Sequence, residues 1–273
     1  MADFQIPAFT VTSLLLTAAI CLVAVLAAVY TLRRRIKPSQ VILGLFCYVL
    51  VLLLQSVLSL LMLNLGVPDS GMACAVSVTA QAVISLGAIR YLGLRFGIKS
   101  NFDSADAALG FAVGFAGLYL LACALNYFSS YAMASEYVKT GAEAFALSAG
   151  EDAPEMLSTL EEIAGRSGWA YLLLGVNRVF FLVRELAFCV MLWYAMEEDG
   201  NRAFLLLVPL MHCLIELPDG LYQAGMLQSS YIKDGVIILL SAAAAFLASR
   251  QYNRQEDQVA HFRIEKLRAR RRR

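Results

Sequence analysis

Residues 10–37 read TVTSLLLTAAICLVAVLAAVYTLRRRIK, an apolar run that ends in a cluster of basic side chains. The stretch from 10 to 32 carries no charge, and a helix of about 20 apolar residues crosses the roughly 30 Å hydrocarbon core of a bilayer. The run is too long for the core of a signal peptide, and no basic region precedes it. Because basic residues collect beside the cytoplasmic ends of such helices, we predict a transmembrane helix whose C-terminal end faces the cytoplasm.

The rest of the chain repeats this pattern. Of its 273 residues 60% are hydrophobic, and its mean hydropathy is +0.67, whereas soluble domains are about half apolar. Further predicted spans cover 40–64, 72–95, 105–128, 169–195, 203–217 and 231–249, the sixth span of the chain (203–217) being short and ending before Pro218. The alternating strands of about ten residues that form membrane barrels are not seen. We therefore predict an all-α, polytopic membrane helix bundle of about seven transmembrane helices that forms one domain, 1–249.

Charge is distributed unevenly along the chain. Seven acidic residues lie between 136 and 162, and nine basic residues lie between 250 and 273. We expect 129–168 to be an exterior acidic loop, with a short amphipathic helix in EDAPEMLSTLEEIAG (151–165), and 250–273 to be a basic cytoplasmic tail. The predicted topology has the N-terminus outside and the C-terminus inside, in a bacterial cytoplasmic membrane.

Several classes of function lack their sequence signatures. All six cysteines lie in apolar segments without a CxxC spacing, which disfavours disulfides and zinc knuckles. The patterns HExxH, GxSxG, GxGxxG and the Walker loop are absent. No nucleic-acid signature is present, and the terminal arginine run, next to a membrane exit, is expected to meet anionic lipid at about 1 kcal/mol per basic residue.

A few ionisable residues lie inside the predicted spans, where a charge costs several kcal/mol unless it is paired or hydrated. Arg178 and Glu185 are seven residues apart and share a helix face, as do Asn177 and Arg184. Two interpretations follow: a structural polar network that fixes helix packing, or a catalytic or ligand site. We expect Arg178 or Arg184 to pair with Glu185, Glu216 or both.

Three further residues belong to the same group. His212 and Glu216 are four residues apart in PLMHCLIELPDGLYQAG (209–225) and therefore share a face. For Arg90 two interpretations are open: it belongs to the polar core, or it extends toward the inner membrane surface. A catalytic zinc needs about three protein ligands and an open position. His212, Glu216 and Glu185 offer at most one histidine and two carboxylates, so we expect no cofactor, and zinc only if the site is active.

Four stretches together resemble one family of membrane proteins. They are IRYLGLRFGIK (89–99), DAALGFAVGFAGLYLLAC (106–123), NRVFFLVRELAF (177–188) and HCLIELPDGLYQ (212–223). In order and spacing they are similar to the YhfC family of intramembrane metallopeptidases, in the wider group of CAAX-type and PrsW-type proteases and the Aph-1 scaffold. The resemblance covers roughly 75–245 and implies a helical membrane protein with a metal-dependent peptidase frame.

The matching positions depart from the family pattern where its metal chemistry lies. In the family, a Glu-Glu pair precedes Arg-Tyr, a Gly-His-Gly-Gly-Ile-Glu run follows, then Glu-Arg with a later histidine, and last His-x-x-x-Asp. The chain keeps some of these residues, namely Arg90, Tyr91, Gly114, Gly117, Arg178 and His212. At the other positions this chain carries a different residue. Leu86 and Gly87 stand where the family has its acid pair, Phe115 where it has the first histidine, and Tyr119 where it has the glutamate. Asn177 stands in place of the later acid, Glu185 in place of the second histidine, and Glu216 in place of the aspartate.

The resemblance leaves three functions open. The first is a catalytically degenerate, protease-like protein that binds a partner helix or a small ligand in a polar core of Arg90, Asn177, Arg178, Arg184 and Tyr119. The second is an active intramembrane metallopeptidase with a divergent site, in which His212 and Glu216 hold the metal and a peptide is the substrate. The third is a transporter or permease subunit whose polar residues line its path.

Overall fold

The structure is a computed structural model that describes the backbone of residues 4–102, 104–197 and 200–271 and the side chains of these ranges as far as 253. Within these ranges it is built from helices alone. They are α1 (Ala8–Leu32), α2 (Pro38–Asn64), α3 (Gly71–Leu92, continued by the π-helical segment Gly93–Ile98), α4 (Ala105–Thr140), α5 (Ala142–Ala149), α6 (Ala153–Gly165), α7 (Gly168–Ala195), α8 (Phe204–Gln223) and α9 (Ser230–Arg271).

The helices confirm the predicted membrane bundle. Six of them, α1 to α4, α8 and α9, contain segments long and apolar enough to cross a bilayer. Helix α7 is 28 residues long and carries Arg178, Arg184 and Glu185. It was predicted as a seventh span but is not among these six. It packs against α1, α4 and α9, and this packing keeps its charges away from lipid.

Helix α8 does not end where the sequence analysis placed its end. It continues through Pro218 to Gln223 and also contains Pro209. A proline removes one backbone donor and bends a helix, but membrane helices tolerate it when neighbouring helices satisfy the freed groups. The expected stop at Pro218 is therefore wrong, and the extra turn brings Asp219 into the bundle.

The segment 129–168 is helical rather than an open loop. Helix α4 continues to Thr140, and α5 and α6 follow it. The amphipathic helix expected in 151–165 is confirmed as α6, with proline in its first turn. Phe145 and Leu160 are fully buried in a small core with Tyr137 and Leu14, so this segment packs onto the ends of α1 and α4.

Helix α4 is the central helix, because α1, α2 and α7 all pack against it. Small residues allow this, since they let helix backbones approach closely in a membrane. A Cβ at Gly114 would lie 1.9 Å from the Val41 carbonyl oxygen, and one at Gly44 would lie 2.1 Å from the Phe111 carbonyl oxygen. The α2–α4 contact therefore requires glycine on both helices.

Polar contacts at one end of the bundle join the end of α1, the start of α4 and α9. Tyr252 of α9 donates a hydrogen bond of 3.0 Å to Asp106 at the start of α4 and accepts one of 2.9 Å from Arg35, just after α1. These residues lie at the end predicted to be cytoplasmic. The basic tail predicted for 250–273 falls mostly outside the described side chains, which stop at residue 253.

Candidate functional site

The most buried ion pair of the site joins α3 to α7. Arg90 donates from Nε to Oε2 and from Nη2 to Oε1 of Glu185, both at 2.7 Å. Both side chains are fully buried. Arg90 therefore lies in the buried polar core, and the alternative interpretation, in which it extends to the membrane surface, is wrong. The reason is that a carboxylate inside the bundle offers the guanidinium two charge-assisted hydrogen bonds without exposing it to hydrocarbon.

A second pair lies beside the first and links α7 to α8. Arg184 donates from Nη2 to Oε1 of Glu216, which confirms the pairing expected for this arginine. Its Nε also lies 3.9 Å from Oε1 of Glu185. Arg90, Glu185, Arg184 and Glu216 therefore form one continuous chain of alternating charge across three helices.

His212 lies at the end of this chain of charges. Its Nε2 is 3.5 Å from Oε1 of Glu216, and its ring centroid is 5.6 Å from that of Phe188. The residue is fully buried, and neither ring nitrogen forms a hydrogen bond with a described residue. The shared face of His212 and Glu216 thus places the two side chains together as expected.

Arg178 faces a different partner from Arg184. Its Nη1 donates a hydrogen bond to the hydroxyl of Tyr119 on α4. The Tyr119 ring lies 4.1 Å from that of Phe181, and Phe181 in turn lies 4.7 Å from the Arg184 guanidinium carbon. Aromatic packing therefore connects the Arg178–Tyr119 pair to the network of ion pairs.

A third polar cluster lies where α7, α8 and α9 meet, and Asn177 is the one member of it that was expected in the polar core. The Lys233 ammonium lies 3.2 Å from Asp219 and 3.5 Å from Asp234. Asn177 donates to Asp234 at 2.6 Å. Lys233, Asp219 and Asp234 were not among the ionisable residues expected in the core, although KD (233–234) lies within the predicted span 231–249 and so carried a signal.

Some of these groups line a cavity of about 410 Å³ between α2, α3, α4, α7, α8 and α9. Its charged lining residues are Arg178, Arg184, Glu216, Asp219 and Lys233. Its neutral polar lining residues are Tyr48, Gln55, Ser59, Gln81, Tyr119, Asn177 and Gln223. Ser59 and Gln223 are exposed at the rim, so the cavity opens at the end of the bundle where α2 ends and α9 begins.

The residues present do not fit a catalytic zinc ion. Within the described part of the chain, no three histidine, cysteine, aspartate or glutamate side chains cluster as metal ligands would. Glu185 and Glu216 are each engaged by an arginine, and a divalent cation there would be repelled by these guanidinium groups. Phe115, which packs 5.9 Å from the Arg90 guanidinium carbon, has no lone pair to donate.

The fold and the site define a polytopic membrane protein with a buried, charged and hydrogen-bonded core. A comparison with protein families matches residues 19–237 to the family described as YhfC intramembrane metalloprotease. The chain belongs to this family, as its motifs had suggested.

The comparison with curated proteins finds a relative in Bacillus subtilis (strain 168), "Uncharacterized membrane protein YhfC". It is 26% identical over 160 residues, which are 58% of this chain and 60% of the relative. The match thus covers less than two thirds of that protein. No solved structure matches the chain.

Proposed function

We propose that this chain is a catalytically degenerate member of its family that acts by binding, either to a small ligand or to a transmembrane partner. The observation that carries the proposal is the use of both candidate metal carboxylates in ion pairs. Glu185 is held by Arg90 through two hydrogen bonds of 2.7 Å, and Glu216 is held by Arg184.

The energetics support this proposal. A zinc ion at Glu185 or Glu216 would have to displace a guanidinium group that the bundle buries. An arginine left unpaired in this way loses several kcal/mol of stabilisation. Metal-activated water also needs several ligands that hold the ion and lower the pKa of the water. His212 would supply a single nitrogen, and the aromatic side chains at Phe115 and Tyr119 are poor ligands.

A binding role explains the polar cavity and does not require the protein to catalyse a reaction. The cavity has the size of small-molecule sites, which range over about 300–1,000 Å³. Its walls carry amides, hydroxyls and charges from six helices. Membrane lipid surrounds the bundle, and the cavity or an adjacent helix face receives the small ligand or the transmembrane partner.

Metal analysis of the purified protein tests the proposal. We expect less than one tenth of an equivalent of zinc per chain, and no cleavage of membrane peptides by the protein. His212→Ala should leave the metal content unchanged, and so should the matched control His261→Ala, at the only other histidine of the chain. One equivalent of zinc that is lost in His212→Ala, together with loss of cleavage, but retained in His261→Ala would instead establish an active metallopeptidase.

A further inference from the structure

The polar cavity opens at one end of the helix bundle. Its rim is formed by the C-terminal parts of α2 and α8 and the first turns of α9, which lie at the same end of the bundle, and its deeper walls come from the middle of α3, α4 and α7. The Arg90–Glu185 pair does not contribute to its lining. The cavity is therefore a polar recess that enters the bundle from one membrane surface.

The cations of the cavity differ in how they are neutralised. Arg184 is paired with Glu216, and Lys233 lies between Asp219 and Asp234. Arg178 is different, because its described partners are the neutral hydroxyls of Tyr119 and Tyr127 and no described ion pair joins it to a carboxylate.

Two donors in this region also lack hydrogen-bond partners among the described residues. The Nε atoms of Arg178 and Arg184 are buried and form no hydrogen bond with a described residue. Both arginines line the cavity. A guanidinium group carries five donors in a fixed plane, a geometry that suits the oxygens of carboxylates and phosphates.

We propose that the cavity binds a single monoanionic oxyanion, a carboxylate or a phosphodiester, through Arg178, with the polar body of the ligand against the amide and hydroxyl groups of the wall. This inference rests on the proposed binding function, because the ligand occupies the cavity assigned to it. The oxyanion supplies the negatively charged partner that Arg178 lacks. The ester or amide groups of the ligand meet the side chains of Gln55, Gln81 and Tyr48.

The other charges of the cavity favour one negative charge on the ligand over two. Glu216 and Asp219 also line the space, and Asp219 at the rim is 35% exposed. A second negative group would meet these carboxylates at low dielectric, where like charges repel strongly. Arg184 and Lys233 are already paired, so Arg178 is the cation that selects the ligand.

The two sources of such an oxyanion are a lipid headgroup and a soluble molecule, and thermal unfolding in a neutral detergent distinguishes them. The lipid probe is phosphatidylglycerol, with phosphatidylcholine as its zwitterionic control. The soluble probes are glycerophosphoglycerol and N-acetylglycine, with N-acetylglycinamide as the neutral control. We expect an anionic probe to raise the Tm in a saturable way and its control to have no effect. A response to the lipid alone, or to a soluble probe alone, identifies the source.

Variants then assign the binding to Arg178. Arg178→Gln should raise the apparent Kd by at least about tenfold for whichever anionic probe stabilises the wild type, because the change removes a charge-assisted hydrogen bond. The control Arg95→Gln removes an exposed arginine at the opposite end of α3 and should bind like the wild type. Should Arg178→Gln fail to fold, Gln81→Glu adds a negative charge to the wall at almost constant size and should weaken binding similarly.

The outcomes separate this inference from the proposed function. No Tm response to any anionic probe, or equal responses in wild type and Arg178→Gln, would overturn the anion site. If the same preparation contains no zinc, the binding proposal survives with a different ligand. A stoichiometric zinc ion would overturn the proposed function itself, whatever the anion response.

Discussion

Arg90 and Glu185 form a two-point ion pair between α3 and α7, with both hydrogen bonds at 2.7 Å and both side chains fully buried. The Nη1 atom of Arg90 has no described hydrogen-bond partner, and its guanidinium carbon lies 5.0 Å from the Phe188 ring. An arginine enclosed by aromatic rings depends on its carboxylate, so the pair should be important for stability.

The first prediction concerns this pair. Glu185→Gln keeps the size of the side chain and leaves Arg90 charged, so the free energy of unfolding should fall by about 3–5 kcal/mol. Thermal unfolding in detergent measures the effect, and a second change, Arg90→Met, should partly restore stability. The control Glu197→Gln breaks the pair with Lys99, in which Glu197 is 37% exposed, and should cost less than about 1 kcal/mol. Equal stability of Glu185→Gln and the wild type would mean that water reaches these groups.

The second prediction compares two glycines on α4. A Cβ at Gly114 would lie 1.9 Å from the Val41 carbonyl oxygen, whereas one at Gly117 would lie 3.8 Å from its nearest neighbour. Gly114→Ala should force α2 and α4 apart and destabilise the protein by about 1–3 kcal/mol or more. Gly117→Ala should be neutral or stabilising by up to about 1 kcal/mol, because alanine favours a helix. A Tm that falls equally in both variants would contradict the close contact of α2 and α4.

The third prediction compares the two aspartates that share Lys233. Asp234 is 3% exposed and accepts a hydrogen bond from Asn177, whereas Asp219 is 35% exposed. Asp234→Ala leaves two buried polar groups without this partner and should cost about 3–5 kcal/mol. Asp219→Ala removes a hydrated partner and should cost about 1 kcal/mol or less. Urea or thermal unfolding of the two variants should therefore rank them clearly, and the reverse order would contradict the cluster.

The sequence predicted the spans well because the width of the bilayer determines the length of an apolar helix. Residues 40–64 were expected and α2 covers Pro38–Asn64, one of the six helices apolar enough to cross a bilayer. The expected seventh span, 169–195, forms the helix α7 (Gly168–Ala195) but is not one of these six. Local rules were less reliable at the end of α8, because Pro218 stops a helix in water more effectively than in a packed membrane bundle. The continuation of α4 to Thr140 lies beyond the apolar run, so hydropathy alone could not reveal it.

The site was predicted only in part, because spacing along one helix is visible in the sequence and packing between helices is not. Helical spacing placed His212 and Glu216 on one face and predicted a partner for Arg184. It could not predict that Glu185 pairs with Arg90, which is 95 residues away, since that choice depends on how α3 and α7 pack. Lys233 and Asp234 were missed because charges near the end of a span are ordinarily hydrated, and the structure instead buries both.

The fourth prediction is the orientation in the membrane. From the bases in 33–37 and in the tail we predict that the end of α1 and the C-terminus lie in the cytoplasm. Gly150, in the short turn between α5 and α6, then lies outside. A tag inserted at Gly150 should react with impermeant reagents in intact cells, and a C-terminal reporter should be active only in the cytoplasm. The same orientation makes the polar cavity open to the exterior, because α2 ends and α9 begins there. A Gly150 tag that is protected until the cells are broken would invert the bundle and turn the cavity toward the cytoplasm.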